Sequence, residues 1–207
     1  MTAALTVRTA PFPHLVLNGW WDDALLAAVV EEFPDPAAPG WRRYASDTER
    51  KLEGPPVLWG PHTRDLFAQI EARTPDLEVA FGIGGLTMET VGGGYHLIEP
   101  GGYLKVHTDF NRSPRTGNFR RLNLLVYLND DWQDPGGHLE LWAADGKAAD
   151  VTPDFGRTVV FQTSDHSWHG HPLAASRWRR SVAAYFFTAD PPADYDGDHS
   201  TVWHPGA

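Results

Sequence analysis

The sequence predicts a mainly β domain of the sandwich, barrel or jelly-roll class, with helices confined to its first third. Three observations carry this. Seven short β-like runs follow one another from about residue 86, each closed by a cluster of Gly, Pro, Asn or Asp. Helical periodicity comes before those runs and not between them, which argues against a doubly wound α/β fold. The 20 Gly and 17 Pro suit many short elements joined by turns better than a helical bundle.

The elements follow in order. Asp22 or Asp23 can cap a helix running to Phe33, with Leu25, Leu26, Val29, Val30 and Phe33 on one face and Pro34 and Pro36 ending it. A second helix is expected from about Thr63 to Ala72, with Leu66, Phe67 and Ile70 inward, and a third after Thr74–Pro75. Strands are expected at 86–91, 95–98, 103–109, 122–128, 138–142, 158–163 and 181–187. Turn signals separate them at Gly92–Gly94, Pro100–Gly102, Asn129–Asp130, Pro135–Gly137, Asp145–Gly146 and Pro153–Gly156. From Asp190 onward, Asp190, Asp194, Asp196 and Asp198 occur with no Lys or Arg, which reads as a loose surface tail. The chain is therefore expected to be one α+β domain over residues 1–207: a helical part at 1–85, a β core at 86–189 and an acidic tail at 190–207.

Composition excludes several classes. A chain of 207 residues buries roughly 70% of its unfolded surface and needs no covalent staples. With no cysteine, a disulfide framework, a thiolate metal site, an iron–sulfur cluster and a cysteine nucleophile are all ruled out, so any metal is held by His, Asp or Glu. A net charge of −10 and a pI of about 5.3 disfavour nucleic acid and anionic membranes as partners. No apolar run reaches the roughly 20 residues of a membrane span. The first residues also lack the continuous apolar core of a signal peptide, so a cytoplasmic location is expected.

The chemistry-bearing residues begin with His107-Thr108-Asp109 at the end of a strand-like run. Residues i and i+2 of a strand face the same way, so an imidazole and a carboxylate can meet at one point. Two ligands do not make a tight site. The segment 164–172 offers a third in His166, His169 or His171. Two His and one carboxylate with open positions are the arrangement of non-haem Fe(II) oxygenases.

Basic residues are clustered as well. Lys105, Arg112, Arg115, Arg120, Arg121, Arg177, Arg179 and Arg180 all fall within residues 105–121 and 177–180, where Asp109 is the sole acid. In an acidic protein this points to an anionic small molecule. Arg179 and Ser181 share a strand face, so a guanidinium and a hydroxyl can hold one carboxylate by charge-assisted bonds, with Arg180 facing away. The phenol of Tyr127 can add a third donor.

Six segments, HTDFN (107–111), RRLNLLVYLN (120–129), GGHLELW (136–142), FGRTVVFQT (155–163), HSWHGHP (166–172) and RRSVAAYFFT (179–188), occur in this order. Together they resemble the prolyl-4-hydroxylase-like branch of the Fe(II)/2-oxoglutarate dioxygenases over residues 95–189. The resemblance implies a double-stranded β-helix, a jelly roll with the N-terminal helices packed on one sheet. It implies His107, Asp109 and His169 as the iron ligands, the His-Gly pair selecting His169 among the three later histidines. It also implies Arg179, with Tyr127 and Ser181, as the anchor of 2-oxoglutarate.

The activity implied is hydroxylation of an unactivated C–H of a small molecule, amino acid or peptidyl residue. O2 is consumed, succinate and CO2 are released, and ascorbate serves as a reductant. Because Asp109 stands where a halogenase needs a vacant position, halogenation is disfavoured. Residues 110–119 are expected to form a mobile loop at the site mouth, with Arg112, Arg115, Arg120 and Arg121 meeting an anionic substrate group and Trp168 lining its pocket. Two other classes fit the residues: a cupin-like binding jelly roll without redox activity, and a zinc hydrolase. Arg179 discriminates against the first, and visible absorption of an anaerobic Fe(II)–2-oxoglutarate complex against the second.

Overall fold

In the computed structural model residues 5–206 are described. The first third holds β1 (His14–Leu17), α1 (Asp23–Glu31), β2 (Arg42–Ala45), β3 (Arg50–Gly54), α2 (Pro61–Ala72) and α3 (Thr74–Phe81). Then come β4 (Thr87–Ile98), β5 (Leu104–Thr108), β6 (Phe119–Tyr127), β7 (Leu139–Ala143) and β8 (Gly146–Val151). The chain closes with β9 (Thr158–Gln162), β10 (His169–His171), β11 (Arg179–Thr188) and β12 (Val202–Trp203). One sheet has the order β1-β9-β6-β11-β4-β3-β2 and the other β12-β5-β10-β7-β8. The ladders are antiparallel, and the central strands pair with partners distant in sequence (β9 with β6, β6 with β11, β11 with β4, β5 with β10, β10 with β7), the topology of a double-stranded β-helix.

Alternation along the central strands builds three layers. Leu122, Leu124 and Val126 of β6, Val160 of β9, and Val182, Ala184 and Phe186 of β11 face the helices. There they meet Leu26 and Val29 of α1, Leu66, Phe67 and Ile70 of α2, and Leu77 of α3. Each fully buried Leu or Ile in this layer contributes about 1.5–3 kcal/mol. The residues between them turn the other way: Tyr127, Val159 and Phe161 meet Leu139 and Leu141 of β7 in the space between the sheets. The candidate site lies in that space.

The helices begin and end where local chemistry directs. The Asp22 carboxylate caps α1 by accepting from the backbone N–H of Leu25 at 3.0 Å. The helix stops at Glu31, before Phe33, and Glu32 is used elsewhere: its carboxylate accepts from the backbone N–H groups of His62 and Thr63, both at 2.9 Å. That cap lets α2 start at Pro61, slightly ahead of the expected Thr63. No described helix is long and apolar enough to cross a membrane.

Four expectations are corrected. Residues 1–85 are not purely helical, because β1, β2 and β3 extend the larger sheet at both edges. Gly92–Gly94 is not a turn but a bulge inside the continuous β4; Gly92 and Gly94 take positive φ, and a Cβ on Gly93 would lie 2.8 Å from the Ala183 carbonyl. Segment 169–171, not among the strands expected above, is the short strand β10. The acidic tail is not loose, for Val202 and Trp203 pair with Thr108 and His107 of β5.

Candidate active site

β5 and β10 run side by side in the smaller sheet, with His169 opposite His107. Asp109 follows β5 directly. His107, Asp109 and His169 thereby place one ligand atom each within 4.8 Å of one another, the arrangement that can hold a metal ion. Nε2 of His107 is 3.7 Å and Nε2 of His169 3.4 Å from the Asp109 carboxylate. Both rings donate Nδ1–H to a carbonyl two residues back, His107 to Lys105 at 2.9 Å and His169 to Ser167 at 2.8 Å. Those bonds fix the tautomer and leave each Nε2 lone pair free for a metal. Burial, reinforced by His107, pushes His169 down to about 4, so its ring is neutral.

Asp109 is held from behind. Asn123 donates to its carboxylate at 2.6 Å, and Arg120 lies 3.4 Å from it with its side chain 1% exposed. Burial alone would raise the Asp109 carboxyl; Arg120 and the two histidines outweigh it and hold the group well below the usual range. By strict alternation Arg120 would share the helix face of Leu122. A bulge at Arg121, where Phe186 pairs with Leu122 but Phe187 pairs with Arg120, turns Arg120 into the site. Its guanidinium stacks on Tyr185 at 3.6 Å and Phe110 at 4.6 Å. Arg120→Leu is expected to weaken Mn(II) binding about 10–100-fold, the usual cost of losing a partner behind a ligand. Unchanged affinity in a titration would remove that role.

Beyond the triad a cavity runs between the sheets to Arg179, lined also by Ser181, His171, His96 and Leu125. Arg179 is 4% exposed. Its Nε donates to the Gly137 carbonyl at 2.7 Å and its Nη2 to the Tyr127 hydroxyl at 3.3 Å. Burial raises the Tyr127 phenol, keeping it a neutral donor. Arg180, across the strand, shares its backbone N–H with Asn129 instead. Among the described residues no carboxylate pairs with Arg179. A buried guanidinium without an acid needs an anion from outside, and a dicarboxylate such as 2-oxoglutarate supplies one. The donor set therefore fits both Fe(II) and 2-oxoglutarate. Burial also lowers His96 to about 4 and His171 well below its ordinary value, so both rings are neutral.

The remaining candidates lie elsewhere. Arg112 pairs with Asp198 at 2.9 Å, Arg115 reaches Glu89 at 3.6 Å, and Arg121 donates to Thr188 at 3.2 Å. Residues 110–119 form a hydrogen-bonded hairpin rather than a free loop: Ser113 and Asn118 bond through their backbones at 2.8 Å, and the hydroxyls of Ser113 and Thr116 donate to Glu89. These arginines are engaged by the chain's own groups. Trp168 packs edge-on against His204, and His166 is exposed outside the triad.

The mouth, a cavity of about 340 Å³, is lined by Arg120 of the predicted set together with Tyr44, Lys51, Glu53, Phe110, Tyr185 and Trp203. Trp203 lies 5.1 Å from the His107 ring. Sequence reasoning missed Asn123, Lys51, Glu53 and Trp203. Only Asn123 left a signal, being a polar residue in an apolar run on the same strand face as Tyr127.

Residues 93–188 match the 2OG-Fe(II) oxygenase superfamily. Over 82 residues the chain is 33% identical to prolyl 3-hydroxylase 2 of Rattus norvegicus and 34% identical to prolyl 3-hydroxylase 1 of Homo sapiens. Those alignments cover 39% of this chain, which spans only 11% of the length of these curated relatives. A Pseudomonas putida prolyl-4-hydroxylase shares the fold at a TM-score of 0.69 and 22% identity, over 88% of this chain and 96% of that one. A Trichoplax adhaerens prolyl hydroxylase, solved with a hypoxia-inducible-factor peptide fragment, does so at 0.68 and 14%, over 84% and 83%.

Proposed function

We propose that this chain, whose residues 93–188 match the 2OG-Fe(II) oxygenase superfamily, is an oxygenase of the prolyl-4-hydroxylase-like type that hydroxylates an unactivated C–H of a peptidyl residue, amino acid or small molecule. His107, Asp109 and His169 would hold Fe(II), and Arg179, Tyr127 and Ser181 would bind the far carboxylate of 2-oxoglutarate. When bound, the iron supplies O2 activation coupled to decarboxylation of 2-oxoglutarate to succinate and CO2.

The chain's own residues do the rest. The two Nδ1–H bonds orient the ligand rings, and Arg120 and Asn123 orient the carboxylate. Leu125, Leu139 and Phe161 line the inner cavity with apolar surface, which keeps water from the reacting centre. The substrate would enter between the β2–β3 hairpin and the C-terminal strand, whose residues Tyr44, Lys51, Glu53 and Trp203 line the mouth.

A single observation carries this reading: the metal-competent triad and a buried, acid-free Arg179 line one cavity. That guanidinium has no use in a cupin-like binding module or a zinc hydrolase. Peptidyl substrates are favoured by the prolyl hydroxylases among the relatives. Anaerobic Fe(II) plus 2-oxoglutarate is expected to give a visible charge-transfer absorption, and its absence would overturn the reading. With substrate found by a succinate-reporting library screen, product formed under 18O2 should gain one labelled oxygen. Loss of two hydrogens without oxygen would replace hydroxylation by desaturation.

A further inference from the structure

β10 brings two histidines into the site, and the reading above uses one. His169 and His171 are two residues apart on one strand, so both rings reach the cavity between the sheets. A Cβ on Gly170 would lie 2.8 Å from the carbonyl oxygens of both Leu104 and Lys105, so β10 is pressed against β5. His171 is 4% exposed, and its Nδ1 is buried with no hydrogen-bond partner. An unmade bond at a buried polar atom destabilises the fold, since the atom has given up water without gaining a partner. A histidine kept at that cost, in a cavity that also contains Arg179 and Ser181, has a polar ligand to meet.

Donor counting leads the same way. 2-Oxoglutarate brings two carboxylates and a keto oxygen. Arg179 commits Nε to Gly137 and Nη2 to Tyr127 before any ligand arrives. The donors remaining at that end of the cavity are few, and the carboxylate of a dianion in an apolar enclosure must be surrounded by them.

Resting on the assignment of this cavity to 2-oxoglutarate, we propose that His171 is a further binding residue for that co-substrate, its ring donating a hydrogen bond to the carboxylate that Arg179 anchors. The site is then a three-sided cradle: Arg179 and Ser181 from β11, Tyr127 from β6, and His171 from the opposite sheet. Binding of 2-oxoglutarate would tie the two sheets together across the site.

Calorimetric titration of 2-oxoglutarate into Mn(II)-loaded protein without O2 tests this independently of turnover. His171→Leu keeps the bulk and removes the donor, whereas His171→Gln keeps an N–H. The leucine variant should bind 2-oxoglutarate about 10–100-fold more weakly, as expected for a bond to a charged acceptor. The glutamine variant should recover most of that, and Mn(II) affinity should be unchanged in both. A leucine variant binding within twofold of wild type, while Arg179→Ala binds poorly, would overturn the role of His171 and leave the cavity's assignment standing. A parallel fall in Mn(II) affinity would make His171 a support of β10 rather than a ligand contact, and would also overturn it. Wild-type protein that takes up Mn(II) but no 2-oxoglutarate would sink both readings.

Discussion

Arg179→Ala is expected to raise the 2-oxoglutarate concentration for half-maximal turnover by about 30- to 4,000-fold. The figure follows from the roughly 2–5 kcal/mol lost when one partner of a buried, hydrogen-bonded charge pair is truncated. The guanidinium is 4% exposed and its donors reach Gly137, Tyr127 and the cavity, so no solvent substitutes for it. Part of the loss falls on its neighbours: the Tyr127 hydroxyl, held neutral by burial, loses its donor. Arg180→Ala is the control, since that side chain points away from the cavity and its backbone N–H, which bonds Asn129, survives the substitution. Steady-state kinetics in varied 2-oxoglutarate decide the matter. Equal effects of the two substitutions would show that the alternation of β11 does not set the co-substrate site.

The parts of the site legible in the sequence were those that strand alternation alone determines. His107 and Asp109, Arg179 and Ser181, and the Tyr127 of an apolar run each sit on a regular strand or at its end, and the period of two places them without knowledge of their neighbours. The pairing of β5 with β10 could not be read that way, because His169 comes 62 positions after His107 and three residues make a weak strand signal. The family resemblance supplied that link.

Where the sequence misled, an irregularity intervened. Arg120 reads as a loop cation, but it belongs to β6, where one extra residue turns it to the mouth cavity and against Asp109, which it pairs with. Gly92–Gly94 reads as a turn, because the positive φ of a bulge demands the same residue. The four aspartates after residue 189 read as a solvated tail. Their segment is held by specific partners: Asp198 by Arg112, the backbone of Gly197 and His199 by Asn111, and Val202–Trp203 by the edge of β5. Nothing in the composition of residues 190–207 announces an unpaired strand edge waiting for it. The same holds for β1, β2 and β3, whose places are set by the edges of a sheet assembled from later residues.

Removing a triad residue should abolish 2-oxoglutarate-dependent turnover, and the three substitutions should differ in a second respect. Asp109→Ala deletes the carboxylate beside Arg120, whose side chain is 1% exposed. Breaking a buried ion pair from one side costs about 3–5 kcal/mol, because the partner is left buried and uncompensated. The Nη2 of Arg120 already has no hydrogen-bond partner, so the remaining charge has little to fall back on. The Asp109 variant should therefore lose unfolding stability together with metal binding, and its inactivity alone proves little. His169→Ala leaves no such charge. It removes a neutral ring whose remaining bond runs to the Ser167 carbonyl. Its midpoint in urea should stay much nearer wild type while Mn(II) binding and turnover vanish. Loss of activity at near-native stability in His169→Ala is the result that assigns the ligand. A His169→Ala protein that kept its metal and its turnover would move the third ligand to His171, the other buried histidine of β10.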